Sequence, residues 1–306
     1  MTATWRVGAI LNETLADTLR FAAWYLEAGA DGLTLMFDNP QDPAIGVLGD
    51  HPKITCIPCT SEFWEGLGLT QDTRFPKRQN FALSHIYRTT SEDWLLNVDA
   101  DEFVYVAEGN IAGLLTTQAP ETECIRIETA EIVEPLVAQV ALTFRLPMER
   151  DVARRVYADN AELFGPRRRG LVGHPQGKSA TRTGLDGVSL RQHWPQRRNG
   201  EPMVERMIGR QNGAYLLHFI GLDYDAWHGK LAWRAGSRGF TVPLTQRIEA
   251  AMDSGNAELE LQRLHARLHK ASPEVMDRLQ AEGARLDLHL DLDAVARRVF
   301  GDAFSG

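Results

Sequence analysis

The 306-residue chain predicts an α/β fold: a mixed, mainly parallel sheet flanked by helices, followed by a helical C-terminal tail. Two observations lead to this class. Short apolar runs alternate with amphipathic helical patterns through the first half, the order of a sheet built with crossover helices. The runs are apolar throughout rather than alternating, as strands covered on both faces require. A third observation bears on function. Successive runs end in polar clusters, Asn12-Glu13, Asp38-Asn39 and Asp99-Ala100-Asp101, and ligands of open α/β sheets collect at the carboxyl ends of strands.

Val7 to Leu11 reads as the first strand. Thr14, with Asp17 three residues on, resembles a capping box. Leu15, Leu19, Ala22 and Leu26 then recur at helical spacing, and Gly29 offers the stop. Gly32 to Phe37 is a second strand, closed by Asp38-Asn39-Pro40, and Lys53 to Cys59 a third. Residues 77–88 carry a helical pattern, Trp94 to Val98 is a fourth strand, and Cys124 to Ile127 a fifth. The second half is less regular. Residues 145–175, rich in Arg, Gly and Pro, read as a loop-rich insertion. Gly177 to Thr183 and Val188 to His193 read as two short strands with Gly184–Gly187 as their turn. Tyr215 to Ile220 is another apolar run, and from Leu244 onward the pattern is helical. The expected organisation is one sheet-containing domain over 1–240 and a helical extension over 241–306.

The composition, 43% hydrophobic and 24% charged, supports a substantial core and excludes global disorder. A net charge of −8 argues against a nucleic-acid binder. No apolar stretch reaches the length of a membrane span, and the N-terminus has no cleavable leader pattern, which points to a cytoplasmic protein. The basic clusters Arg167–Arg169 and Arg197-Arg198 leave room for peripheral contact with an anionic membrane or acidic glycan, although solvated loop charge explains them as well. The three cysteines, Cys56, Cys59 and Cys124, make no disulfide framework and read as structural.

Two carboxylates at i and i+2 after a strand can converge on one hard cation, with phosphate oxygens completing the shell. A departing nucleoside diphosphate builds negative charge that such a cation offsets. The triplet alone is weak: the chain has three, Asp99-Ala100-Asp101, Asp223-Tyr224-Asp225 and Asp291-Leu292-Asp293. The last lies in the charged helical tail and reads as surface, and the middle one as surface or a helix cap. Only the first combines an apolar strand before it with Glu102-Phe103 behind it.

Asn12-Glu13, Gly29-Ala30-Asp31-Gly32, Asp38-Asn39, Arg78-Gln79-Asn80 and Trp94 to Phe103 stand in an order that resembles the family 2-like GT-A glycosyltransferases, in particular the branch whose D-x-D is followed by Glu-Phe. The resemblance covers residues 5–105. It is thinner over 170–235, where Gly177-Lys178-Ser179 and Leu217-His218-Phe219 look like later pieces of that branch. It implies a GT-A fold over 1–240 and a transferase using Mn2+ or Mg2+. The donor would be a nucleotide-diphosphate sugar, a UDP-sugar first, and the acceptor a carbohydrate or a lipid-linked glycan.

By position, the resemblance puts Asn12, Glu13, Asp38 and Arg78 near the nucleotide. It puts Asp99 against ribose or metal, Asp101 on the metal, and Glu102 behind them. A late histidine often completes the shell in such enzymes: His218 first, then His193, with His174 a further candidate. Lys178 and Arg182 flank a strand after a glycine-rich turn, where a cation can neutralise a diphosphate. Gly177-Lys178-Ser179 is not a P-loop, because that motif needs Gly where Val172 stands. An inverting reaction needs a carboxylate base. Glu131 and Glu134 are the leading candidates, with Glu128 and Asp223 behind them, and spacing selects none. Trp194, Trp227, Trp233 and Tyr224 could stack on a sugar ring, or plug a core. The rival readings are a non-catalytic nucleotide-sugar or glycan-binding module of the same fold, and a metal-dependent phosphatase.

Overall fold

The four apolar runs of the first half become adjacent strands. In the computed structural model, which describes residues 2–231 and 239–304, a seven-stranded sheet runs Glu205–Ile208, Cys124–Ile127, Lys178–Arg182, Trp94–Asn97, Trp5–Leu11, Gly32–Phe37, Ile54–Pro58. The last four are mutually parallel, and Glu205–Ile208 runs parallel to Cys124–Ile127. Lys178–Arg182 is antiparallel to both its neighbours, which makes the sheet mixed. The α/β class with a mixed sheet flanked by helices is therefore as expected.

Burial follows the apolar runs. Gly32–Phe37 and Trp94–Asn97 are buried along their whole length, the mark of central strands covered on both faces. Thr14 caps the helix Leu15–Glu27, its hydroxyl accepting the Asp17 N–H at 3.2 Å. Thr60 does the same for Ser61–Gly66 through Phe63. Gly8 faces Ile86 of the helix Phe75–Thr89, where an added Cβ would lie 3.1 Å from the Ile86 side chain, so a small residue lets that helix settle on the strand.

The chain divides into two compact units. The first takes residues 1–128, 176–216 and 291–306, and contains the seven-stranded sheet. The second takes 129–175 and 217–290. There Thr129–Ile132, Leu142–Arg145 and Arg285–Leu288 pair antiparallel. The helices Arg150–Tyr157, Val242–Met252, Ala257–His269 and Pro273–Ala281 share one core with Trp227, Leu264 and Leu268.

Several local expectations differ from the structure. Residues 145–175 carry the helix Arg150–Tyr157, whose buried face, Ala153, Val156 and Tyr157, is masked in the sequence by four interleaved charges. The two strands flanking Gly184–Gly187 do not pair with each other. Lys178–Arg182 enters the main sheet, and Val188–Leu190 pairs with Pro195–Arg197. The segment 241–306 is shared between the units, because the helix Leu292–Phe300 returns to the first. There Asp293 meets Arg20 at 2.5 Å. Among the described residues no helix is long and apolar enough to cross a membrane.

Candidate functional site

The order of the parallel strands creates a switch point. From Trp5–Leu11 the chain builds outward through Gly32–Phe37 to Ile54–Pro58, then returns to place Trp94–Asn97 on the other side of Trp5–Leu11. Connections leave the two central strands in opposite directions, and open α/β sheets bind ligands at the carboxyl ends of strands at such a point. Gly8 is in register with Asn97 and Leu11 with Phe37. Asn12, Glu13, Asp38 and Asp99 therefore all follow the carboxyl ends of adjacent strands, as the three polar clusters suggested. Asn12 is exposed and Glu13 half-buried.

Asp99 is held from several sides. Oδ1 accepts a hydrogen bond from Gln79 Nε2 at 2.7 Å, and Oδ2 meets Lys178 Nζ at 2.6 Å. The same ammonium lies 3.2 Å from Glu102, whose carboxylate accepts the Asp99 N–H at 2.8 Å. Lys178 and Glu102 are buried, at 1% and 5% side-chain exposure, while Asp99 keeps 40%. Burial lowers the Lys178 proton affinity, but Asp99 and Glu102 outweigh it and leave the pKa above the usual lysine value. The network continues inward. Gln192 donates to Gln79 at 2.5 Å, Asn97 donates to the Gln192 carbonyl at 3.1 Å, and Ser179 donates to Asn97 at 2.8 Å. Gly177, at φ +68°, brings the chain so close to Ile127 that a Cβ would lie 2.0 Å from its carbonyl oxygen. This delivers Lys178 to the site.

Asp101 is half-buried in the turn that follows. Among the described residues no three His, Cys, Asp or Glu side chains are grouped to hold a metal ion. The loop carries two hard carboxylates, Asp99 and Asp101, both partly exposed. That donor set suits Mg2+ or Mn2+, which take one or two carboxylates and leave positions for water and phosphate oxygens. It does not suit a closed zinc site.

Asp38 is ion-paired to Arg78 through both guanidinium nitrogens. Arg78 Nε donates to the Thr73 carbonyl at 3.0 Å, and the guanidinium lies 5.1 Å from the Trp64 ring and 5.6 Å from Phe75. The pair is thus fixed on three sides. Burial, then the neighbouring Asp38 charge, pushes the Cys59 thiol up to about 12, which suits a structural cysteine.

Arg182 is in register with Trp94, the first residue of its strand, so it sits at the end opposite Lys178. Its guanidinium donates to the carbonyls of Thr122 and Ala119 and stacks 4.4 Å from the Trp94 ring. That is a structural clamp at the strand end away from Asp99. Sequence position alone did not reveal which end of the strand would face Asp99. His193 belongs to the first unit, its Nδ1 3.2 Å from the Gly177 carbonyl. His218 and His174 belong to the second.

Glu131, also in the second unit, is fully buried against Arg145. Its carboxylate accepts from Arg145 Nε at 2.9 Å and Nη2 at 2.5 Å, and from the N–H groups of Val172 at 2.8 Å and Gly173 at 2.6 Å. Burial raises its pKa, but Arg145, His218 and the two N–H groups overcome this and hold the carboxyl below its usual value. A carboxylate so saturated is a poor proton acceptor. Glu134 is exposed and pairs with Lys270 at 2.9 Å. Asp223 caps the helix Tyr224–Gly229, accepting from Ala226 N at 2.7 Å, and Asp291 caps Leu292–Phe300. Trp227 is buried in the second unit's core. Trp194 is half-buried with Arg126 over its ring, and Trp233 lies outside the described residues.

Gln79, Gln192, Asn97 and Ser179 were not singled out as site residues from the sequence. Gln79, Asn97 and Ser179 lie within the motifs Arg78-Gln79-Asn80, Trp94 to Phe103 and Gly177-Lys178-Ser179. Gln192 carries no local signal.

No protein-family model matches the chain, and no curated protein matches it. Solved structures similar to it include the mannosyltransferase PcManGT from Pyrobaculum calidifontis in complex with GDP-Man and Mn2+, at 12% identity over 100% of this chain and 81% of that one, TM-score 0.37. The WbbM bifunctional glycosyltransferase in its apo form shares 9% identity over 42% of this chain and 23% of its own length, TM-score 0.26. HddC from Yersinia pseudotuberculosis shares 11% identity over 74% and 97%, TM-score 0.37.

Proposed function

We propose that the chain is a metal-dependent glycosyltransferase that moves a sugar from a nucleotide-diphosphate donor, a UDP-sugar first, to a hydroxyl of a glycan or lipid-linked acceptor. The observation that carries this reading is the placement of Asp99 and Asp101 at the switch point, with Asp99 held in place by Gln79, Lys178 and Glu102. Asp99 and Asp101 are the residues to hold Mn2+ or Mg2+. When bound, that cation offsets the charge that builds on the leaving diphosphate. The chain's own contribution is preorganisation. Gln79 and Lys178 leave the Asp99 carboxylate little freedom, so little reorganisation remains when a ligand arrives. The Lys178 ammonium bridges two neighbouring carboxylates, Asp99 and Glu102. The Asp38–Arg78 pair, set against Trp64 and Phe75, offers a fixed polar edge at the end of the next strand for the nucleoside.

Asp101→Ala is expected to abolish manganese-dependent binding of nucleotide sugars while leaving the circular dichroism spectrum unchanged. Calorimetric titration with a panel of UDP- and GDP-sugars, with and without manganese, tests this. Undiminished manganese-dependent binding by the folded variant would overturn the proposal.

A further inference from the structure

The second unit contains a wide groove, about 1060 Å³ in volume, lined by six arginines: Arg150, Arg154, Arg169, Arg247, Arg267 and Arg278. Among the described residues, two carboxylates line it, Asp159 and Glu162. This concentration of positive charge stands on a chain whose net charge is −8. The arginines come from separate places. Arg150 and Arg154 lie on the helix Arg150–Tyr157, Arg267 in the last turn of Ala257–His269, Arg278 on Pro273–Ala281, and Arg247 on Val242–Met252. Like charges gathered from four helices repel one another, and nothing in the packing of an apolar core calls for it.

Three arginines of the groove make exposed ion pairs. Arg154 meets Asp151, Arg169 meets Glu149 and Arg247 meets Glu162, at 3.2, 3.2 and 3.1 Å, each with both side chains substantially exposed. Exposed pairs of this kind are worth little and give way readily to a better anion. The backbone supplies a second observation. Ala158 and Arg169 are the two non-glycine residues with positive φ among the described residues, at 49° and 53°, and both line this groove. Such conformations persist where the surroundings impose them, and they cluster at ligand sites.

We propose that this groove binds an oligoanion, a chain of carboxylate or phosphate groups, through forked guanidinium contacts. Planar guanidinium groups match both oxyanions bidentately. The volume of about 1060 Å³ exceeds what a single phosphate fills. This site is distinct from the one at Asp99 and stands or falls independently of the transferase reading.

The test uses the full chain without any nucleotide donor. Binding of tetragalacturonate, tripolyphosphate and neutral maltotetraose is measured at low salt by calorimetry, for the native protein and for Arg267→Glu/Arg278→Glu. Both substituted side chains are exposed, and a thermal melt checks that the fold is retained. The expected result is binding of one or both anions, weakened about tenfold or more by the double reversal and by added salt. The maltotetraose is expected not to bind. Response to the uronate identifies carboxylate as the recognised group, and response to tripolyphosphate identifies phosphate. Absence of binding to both anions, equal binding of the neutral sugar, or indifference to the reversal in a folded protein would each overturn the proposal. Arg267→Lys/Arg278→Lys, which keeps the charge but loses the fork, is expected to recover part of the affinity.

Discussion

Glu131→Gln separates a structural carboxylate from a catalytic base. The side chain and its partner Arg145 are exposed by only 0% and 2%, so solvent screens neither charge. Removing one member of such a pair leaves the other buried and uncompensated, at a cost of about 3–5 kcal/mol. Glutamine retains one carbonyl oxygen for Arg145 or for the Val172 and Gly173 N–H groups, but not for all of them, which places the loss near the lower bound, about 3 kcal/mol. Because the chain has two compact units, a single global transition is not assured. Amide hydrogen exchange at Val172 and Gly173 is therefore the sharper readout: both donors lose their carboxylate partner and are expected to exchange much faster. Glu131→Leu/Arg145→Met, which removes both charges, is expected to recover most of the stability. A variant with unaltered exchange and unaltered melting, yet without metal-dependent nucleoside diphosphate release, would refute this reasoning and restore Glu131 as a base.

Two further outcomes follow from the same physics. Lys178→Met leaves the buried Glu102 and the part-exposed Asp99 side by side without their cation. The expected loss in urea unfolding is about 2–4 kcal/mol, somewhat below that of a wholly buried pair because Asp99 reaches solvent. Stability should also fall in acid through Glu131. Its folded pKa lies below the ordinary value, so its contribution is complete above the unfolded value of about 4.3 and disappears as pH falls through the lower folded value. A melting series across the acid range is expected to show a shallower acid limb for Glu131→Gln than for the native chain.

How much of this was legible in the sequence depends on which physics each segment obeys. The strands Gly32–Phe37 and Trp94–Asn97 were readable because burial on both faces demands unbroken apolar runs. The capped helix after Thr14 was readable because capping is local. Lys178–Arg182 was readable as a strand but not in its pairing. Its partners, Trp94–Asn97 and Cys124–Ile127, lie more than fifty residues away, and no turn signal encodes such a pairing. The same blindness sent Arg182 to the wrong end of the site. The helix Arg150–Tyr157 was hidden because a surface of arginines suppressed the apolar signal of its buried face.

The D-x-D triplets show where local chemistry stops being informative. All three occur just after or before a regular element, and two of them supply helix caps, Asp223 to Ala226 and Asp291 to Ala294. An aspartate near a helix start accepts free N–H groups wherever it occurs, so the residue pair carries no functional information by itself. Asp99 differs because its carboxylate receives Gln79 and Lys178 from elements distant in sequence, and because its own N–H is taken by Glu102. A capping aspartate uses its carboxylate on the backbone behind it, whereas Asp99 keeps its own partly exposed and held by side chains from other elements. That convergence on one part-exposed carboxylate, rather than the spacing of two acids, is what sets this triplet apart from the two caps.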